Sequence, residues 1–190
     1  MGIANILAIE INIMKKLLLT AVLMAGVTAV YADDISRIQL SLTPDIALQH
    51  RTTRIEGLSF NIWGENPQFG VSIGLVNGST SQSAGFSWGI VNYDESYHGV
   101  QWGVVNVSTE DFMGWQRGFV NVSEGTFMGY QSGLVNVSQD FKGLQLGVVN
   151  YAQHLEGLQI GLANIAMNNS WFHQFPDKLA TGFPLVNWSF

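Results

Sequence analysis

The chain has no cysteine, four prolines in 190 residues, and charge on only 12% of its positions, about half the usual share. The missing thiol excludes disulfides, thiolate-ligated metal centres and an acyl anchor on an N-terminal cysteine together. The net charge is −6, and only eight residues are basic, so the clustered basic surface of a nucleic-acid binder is not expected. Long hydrophobic runs are also scarce. The apolar run at 17–30 covers about 14 residues, short of the roughly 20 that a membrane-spanning helix needs.

That run reads as an export signal instead. Met14, Lys15 and Lys16 form a short positive start, and Val30-Tyr31-Ala32 places small residues where cleavage is determined. The expectation is a signal peptide over 1–32, with Met14 as a candidate true start and Asp33 as the mature N-terminus. Removing 1–32 takes away Lys15, Lys16 and Glu10, which leaves about −7.

What the chain has in abundance is glycine, 21 residues, set in rhythm. One phrase recurs seven times, as in Gly99-Val-Gln-Trp-Gly-Val-Val-Asn106, Gly114-Trp-Gln-Arg-Gly-Phe-Val-Asn121 and Gly143-Leu-Gln-Leu-Gly-Val-Val-Asn150. The opening glycines are Gly70, Gly85, Gly99, Gly114, Gly129, Gly143 and Gly157, spaced 15, 14, 15, 15, 14 and 14 residues apart. A fixed period of this kind marks a repeat architecture. Residues 33–56 form a lead-in strand and turn, 57–164 the repeat domain, and 165–190 a C-terminal cap or closing strand. Gly57 to Trp63 is a degenerate first copy, with Asn61 where later copies place glycine.

With the opening glycine numbered zero, positions 1, 3 and 5 are mostly large and apolar, and positions 2 and 4 are Gln or Ser and Gly. Alternation with period two predicts a β-strand with one greasy and one small, polar face. Two glycines in eight residues, each costing about 1 kcal/mol in a helix, argue against the helical alternative. The fold class is therefore all-β.

Two closures remain open at this level. In a β-solenoid-like stack each 14–15-residue copy is one coil, and equivalent residues stack at about 4.8 Å, making ladders of Gln and Asn. In a ten-stranded up-and-down outer-membrane β-barrel each copy is one strand plus a turn. A single unit with no even/odd difference points to the solenoid. The even strand count and the closing Trp188 and Phe190 point to the barrel. Arg117 and Ser132 at position 3 sit awkwardly if the greasy face is a dry core.

The strand-end asparagines Asn77, Asn92, Asn106, Asn121, Asn136, Asn150 and Asn164 read as a structural ladder, since a stacked amide can pair along the stack and with turn backbone. Asn106, Asn121 and Asn136 also lie in Asn-Val-Ser glycosylation acceptors. Trp88, Trp102, Trp115 and Tyr130, at positions 3, 3, 1 and 1 of successive copies, form a candidate aromatic binding face. Asp94, Glu95, Glu110, Asp111, Glu124, Asp140 and Glu156 read as a solvated acidic edge along the connectors. His50, His98, His154 and His173 lack ligand spacing. No nucleophile elbow or phosphate loop is present, and no cofactor, metal or small-molecule substrate is called for.

The tandem wording of Gly143–Asn150 and its relatives, the opening Ile38-Gln-Leu-Ser-Leu42 and the closing Phe183-Pro-Leu-Val-Asn-Trp-Ser-Phe190 resemble the bacterial surface-repeat family first noted among leptospiral envelope lipoproteins. The resemblance covers nearly the whole mature chain. It implies export, a cell-envelope, outer-membrane or surface location, and no catalytic residues. The expectation is a structural or interaction protein with a membrane or surface partner, not an enzyme. The alternatives are a pore-forming or adhesive barrel and a secreted carbohydrate-binding module on the Trp88, Trp102 and Trp115 face.

Overall fold

The computed structural model describes residues 35–190; the expected signal segment and Asp33 lie outside the described residues. Eleven strands follow in order: β1 (Ile35–Thr43), β2 (Ile46–Ala47), β3 (Arg54–Asn66), β4 (Phe69–Trp88), β5 (Val91–Trp102), β6 (Val105–Ser108), β7 (Phe112–Arg117), β8 (Val120–Ser132), β9 (Val135–Leu146), β10 (Val149–Ala166) and β11 (Gly182–Ser189). They form a β-solenoid of about seven turns.

One coil shows how the repeat closes. The limb Phe112–Arg117 runs out, the chain bends at Gly118 and Phe119, and Val120–Ser123 runs back. A connector through Glu124 and Gly125 then starts the next coil. Neighbouring coils are parallel and in register: Gly99 pairs with Gly114, Gly114 with Gly129, Gly129 with Gly143 and Gly143 with Gly157. A 15-residue copy absorbs its extra residue in the connector, where the register shifts between Ser79 and Gln82 and again between Ser123 and Thr126.

The up-and-down barrel is thereby excluded. Its neighbours would be antiparallel, whereas here the named antiparallel strand pairs lie at the ends, β1 with β2 and β10 with β11. The sheet also stays open, its path running from β2 to β11 without closing. β11 lies across the last coil as a cap, with Asn187 opposite Gln159.

The two faces are the reverse of the hydrophobic expectation. Position 2 points inward: Gln101, Gln116, Gln131, Gln145 and Gln159 are buried. Positions 3 and 5 point outward, so Trp88, Trp102, Phe119 and Leu134 are exposed. Arg117 at position 3 faces solvent and needs no dry-core explanation. The physical reason is the pairing that stacked amides can make with their copies. The inward amides of successive coils pair up and down the stack and so meet most of their hydrogen bonds inside it. An apolar column packs beside the amides. Tyr97, Phe112, Phe127 and Phe141 stack with centroids 5.8, 4.9 and 5.2 Å apart and ring planes within 16° of parallel, and Leu155 continues the column.

Candidate functional site

The interior contains two amide ladders. Each asparagine donates from Nδ2 to Oδ1 of the next copy: Asn77 to Asn92 at 3.0 Å, then through Asn106, Asn121, Asn136 and Asn150 to Asn164 at 2.8 Å each. The second Nδ2 hydrogen closes the bend, as where Asn106 donates to the Arg117 carbonyl and Asn121 to the Ser132 carbonyl, both at 3.0 Å. The glutamines run the other way. Gln116 donates to Gln101, Gln131 to Gln116, Gln145 to Gln131 and Gln159 to Gln145, at 2.8 to 3.0 Å.

The glycines make room for these ladders. A Cβ on Gly118 would lie 2.8 Å from both Asn106 Nδ2 and the Gly103 carbonyl oxygen, so the side chain of position 7 occupies the space that position 4 leaves empty. Gly114 has φ +139°, where L-residues rarely go, and its Cβ would collide with the Gly99 carbonyl. In the degenerate first coil the two roles are exchanged. Asn61 stands opposite Gly74, Gly64 stands opposite Asn77, and Asn61 donates to Asn77 Oδ1 at 3.0 Å. The ladder thus begins one copy earlier than the repeat consensus indicates.

Asp94 is corrected by the structure. It is not part of the solvated connector edge but is 2% exposed, in the inward column that runs through Asn66, Ser79, Ser108, Ser123, Ser138 and Ala152. Its Oδ2 accepts hydrogen bonds from Gln101 and, at 3.1 Å, from Ser108, while Oδ1 has no partner. Burial pushes its carboxyl up to about 7, against the two hydrogen bonds that favour the carboxylate. Burial likewise pushes the neighbouring Tyr97 hydroxyl up to about 12.

The remaining acids hold the connector edge: Glu95, Glu110, Asp111 and Glu124 are exposed. Asp140 pairs with His154 at 2.9 Å and Glu156 with Lys142 at 2.8 Å. Among the described residues, no three His, Asp or Glu side chains gather as metal ligands would. The acceptor asparagines Asn106, Asn121 and Asn136 are fully buried, so the folded chain presents none of them for glycosylation.

The four aromatic residues lie on one outer face. Trp88 is in register with Trp102, and Trp115 with Tyr130. Trp88 and Trp102 are exposed, whereas Trp115 and Tyr130 are half-buried, 5.7 Å apart and inclined at 57°. Arg117 lies over the Trp102 ring at 5.1 Å and interrupts the surface between the two pairs. Around the bend, position 5 forms a continuous apolar ridge of Leu75, Ile90, Val104, Phe119, Leu134, Val148 and Leu162, each between 41% and 68% exposed.

No protein-family model matches the chain, and no curated protein or solved structure does.

The glutamine column, the aromatic column and Asp94 are not among the sequence-predicted site residues. Phe112, Phe127 and Phe141 stand two residues before their opening glycines, just outside the eight-residue phrase, but they keep its period. Gln recurs at position 2 in five consecutive copies from Gln101 to Gln159, after Ser72 and Ser87 in the first two.

Proposed function

We propose that this chain is an exported envelope or surface protein whose solenoid is an interaction scaffold without a catalytic site. The observation that carries the reading is the position-5 ridge with the apolar columns beside it, all facing outward. Exposed apolar side chains that stand in register over seven coils form one contiguous surface, and such surfaces often mark the place where a partner docks. The polar interior makes the pattern more pointed, because these side chains are apolar without being needed for the core. The signal-like 1–32 segment and the resemblance to the bacterial surface-repeat family support the address.

Cell fractionation with intact-mass analysis tests it. The expected result is a chain beginning at Asp33 in the envelope or extracellular fraction. A chain retaining residues 17–32 and held in the cytoplasm would overturn it.

A second reading, carbohydrate binding, is favoured by one observation: Trp88 and Trp102 stand exposed on adjacent coils. Soluble oligosaccharides that quench tryptophan emission in the parent but not in a Trp88→Ala, Trp102→Ala variant would support it; an unchanged spectrum counts against it.

A further inference from the structure

The ridge at position 5 has three properties that together narrow the kind of partner it fits. The first is its backbone. At the bend, Gly118 N–H donates to the Ser132 carbonyl at 3.0 Å and Phe119 N–H to the Val104 carbonyl at 2.8 Å. The Phe119 carbonyl in turn accepts from Leu134 and Val135 at 2.9 and 3.0 Å, and the same scheme repeats along the stack. The N–H groups of the bend and the position-5 carbonyls are thus paired within the stack, which lowers the cost of placing this edge in an apolar phase.

The second property is charge. Positions 5 and 6 carry no charged residue in any of the seven copies, and position 3 carries only Arg117. The acids Glu95, Glu110, Asp111 and Glu124 lie at the opposite end of the coil, on the connectors. A chain of net charge −6 thus turns an uncharged edge outward and keeps its repelling charges away from it.

The third property is shape. Six steps of about 4.8 Å make the ridge about 29 Å long, and it is convex, one residue wide at its crest. A rigid second copy would meet such a corner along a line. A strip about 10 Å wide buries roughly 600 Å² across both partners, well below the ~1,200 Å² of a stable interface. A fluid apolar phase has no such limit, because it closes around the crest and covers the columns on both sides.

We infer that the position-5 ridge is a lipid-inserting edge, by which the solenoid lies in the headgroup and acyl boundary of a bilayer with its acidic connectors in water. Such a bound state matches that of interfacial amphipathic elements, whose apolar side sinks about 5–10 Å into the membrane. Trp88 and Trp102, one position-pair back from the crest, then lie at headgroup depth, where tryptophan is enriched, and Arg117 reaches the phosphates. The inference deepens the envelope reading, which supplies only the place where such a lipid surface is met.

The test is flotation of the purified mature protein with zwitterionic phosphatidylcholine vesicles, together with quenching of tryptophan emission by lipids brominated on their acyl chains. The wild type should float, shift its emission to the blue and be quenched. Phe119→Ser with Leu134→Ser should lower the partition coefficient at least ten-fold, and Glu110→Gln with Glu124→Gln should change it less than two-fold. Circular dichroism and a cooperative melt confirm that the variants fold. If the central pair does not fold, Leu75→Ser with Leu162→Ser at the ends of the ridge takes its place. Failure of the folded wild type to float, or equal flotation of the ridge variant, overturns the inference. A ridge-dependent dimer in sedimentation without flotation also overturns it and assigns the ridge to a second copy. An envelope-located chain that does not float refutes the lipid edge alone. A floating chain that is never exported refutes the envelope reading alone.

Discussion

Gln101 donates its side-chain amide to the carboxylate of Asp94, so the glutamine ladder ends on the one carboxylate buried among the described residues. Every glutamine in the column donates toward the N-terminal end, and Asp94 Oδ2 is the acceptor on which the run stops. Burial opposes ionisation of this carboxyl and outweighs the two hydrogen bonds that favour the carboxylate.

Stability should therefore depend on pH through Asp94. Its carboxyl lies at about 7 in the folded chain and near 3.9 when unfolded. Between about pH 4 and 7 the folded state binds the extra proton, so stability falls as pH rises through that window and levels off above it. The loss is on the order of 2–4 kcal/mol. Urea midpoints at pH 5 and pH 8 should differ for the parent, whereas Asp94→Asn, which keeps an acceptor for Gln101, should remove most of the difference. An unchanged difference in the variant would show that Asp94 does not cause it.

The asparagine ladder predicts a large contrast between neighbours. Asn121→Leu leaves the Asn106 donor and the Asn136 acceptor unpaired inside the stack, at roughly 1–3 kcal/mol for each. Glu124→Ala on the exposed connector should stay within about 0.5 kcal/mol. Equal small effects by chemical denaturation would contradict the ladder.

The exchanged first coil predicts compensation. Asn at position 64 would collide with the Asn61 side chain, at roughly 1–3 kcal/mol for overpacking. Combining Gly64→Asn with Asn61→Gly restores the consensus order and should recover most of that loss, a coupling that a double-mutant cycle reads directly. Additive losses would mean the two positions do not share one space.

How much of this was legible in the sequence depends on which physical signal carried it. The 14–15-residue period required equivalent residues to stack, and Asn77 to Asn164 could be read as a column because nothing else recurs without exception at the end of a strand. Alternation showed that the two faces of Val100-Gln101-Trp102 differ, but not which of them is inside. The usual rule, apolar inward, does not allow for amides that satisfy one another along the stack, as Gln101 to Gln159 do here. Gln116 lies inside and Phe119 outside, a choice that alternation alone leaves open. Asp94 was grouped with the connector acids by composition, because its place in the inward column emerges only when the copies are aligned through position 9.

Excision of residues 129–142 removes one coil and joins like to like. The shortened chain should lose about one repeat and one interface of stability yet remain β-rich and unfold cooperatively. Removal of 129–156, two coils, should differ from it only in degree. A protein that folds after the double excision but not the single one would contradict parallel stacking.

The central claim, amides inside and apolar residues outside, is tested most directly by thiol accessibility, because a chain without cysteine gives no background. Single variants Ser123→Cys and Ser138→Cys lie in the inward column, and Phe119→Cys and Leu134→Cys lie on the ridge. In the folded, lipid-free protein the ridge thiols should react with a maleimide at nearly the rate of a free thiol, while the two inward thiols stay protected until denaturant is added. Fast labelling at Ser123→Cys and Ser138→Cys with protection at Phe119→Cys and Leu134→Cys would contradict the account.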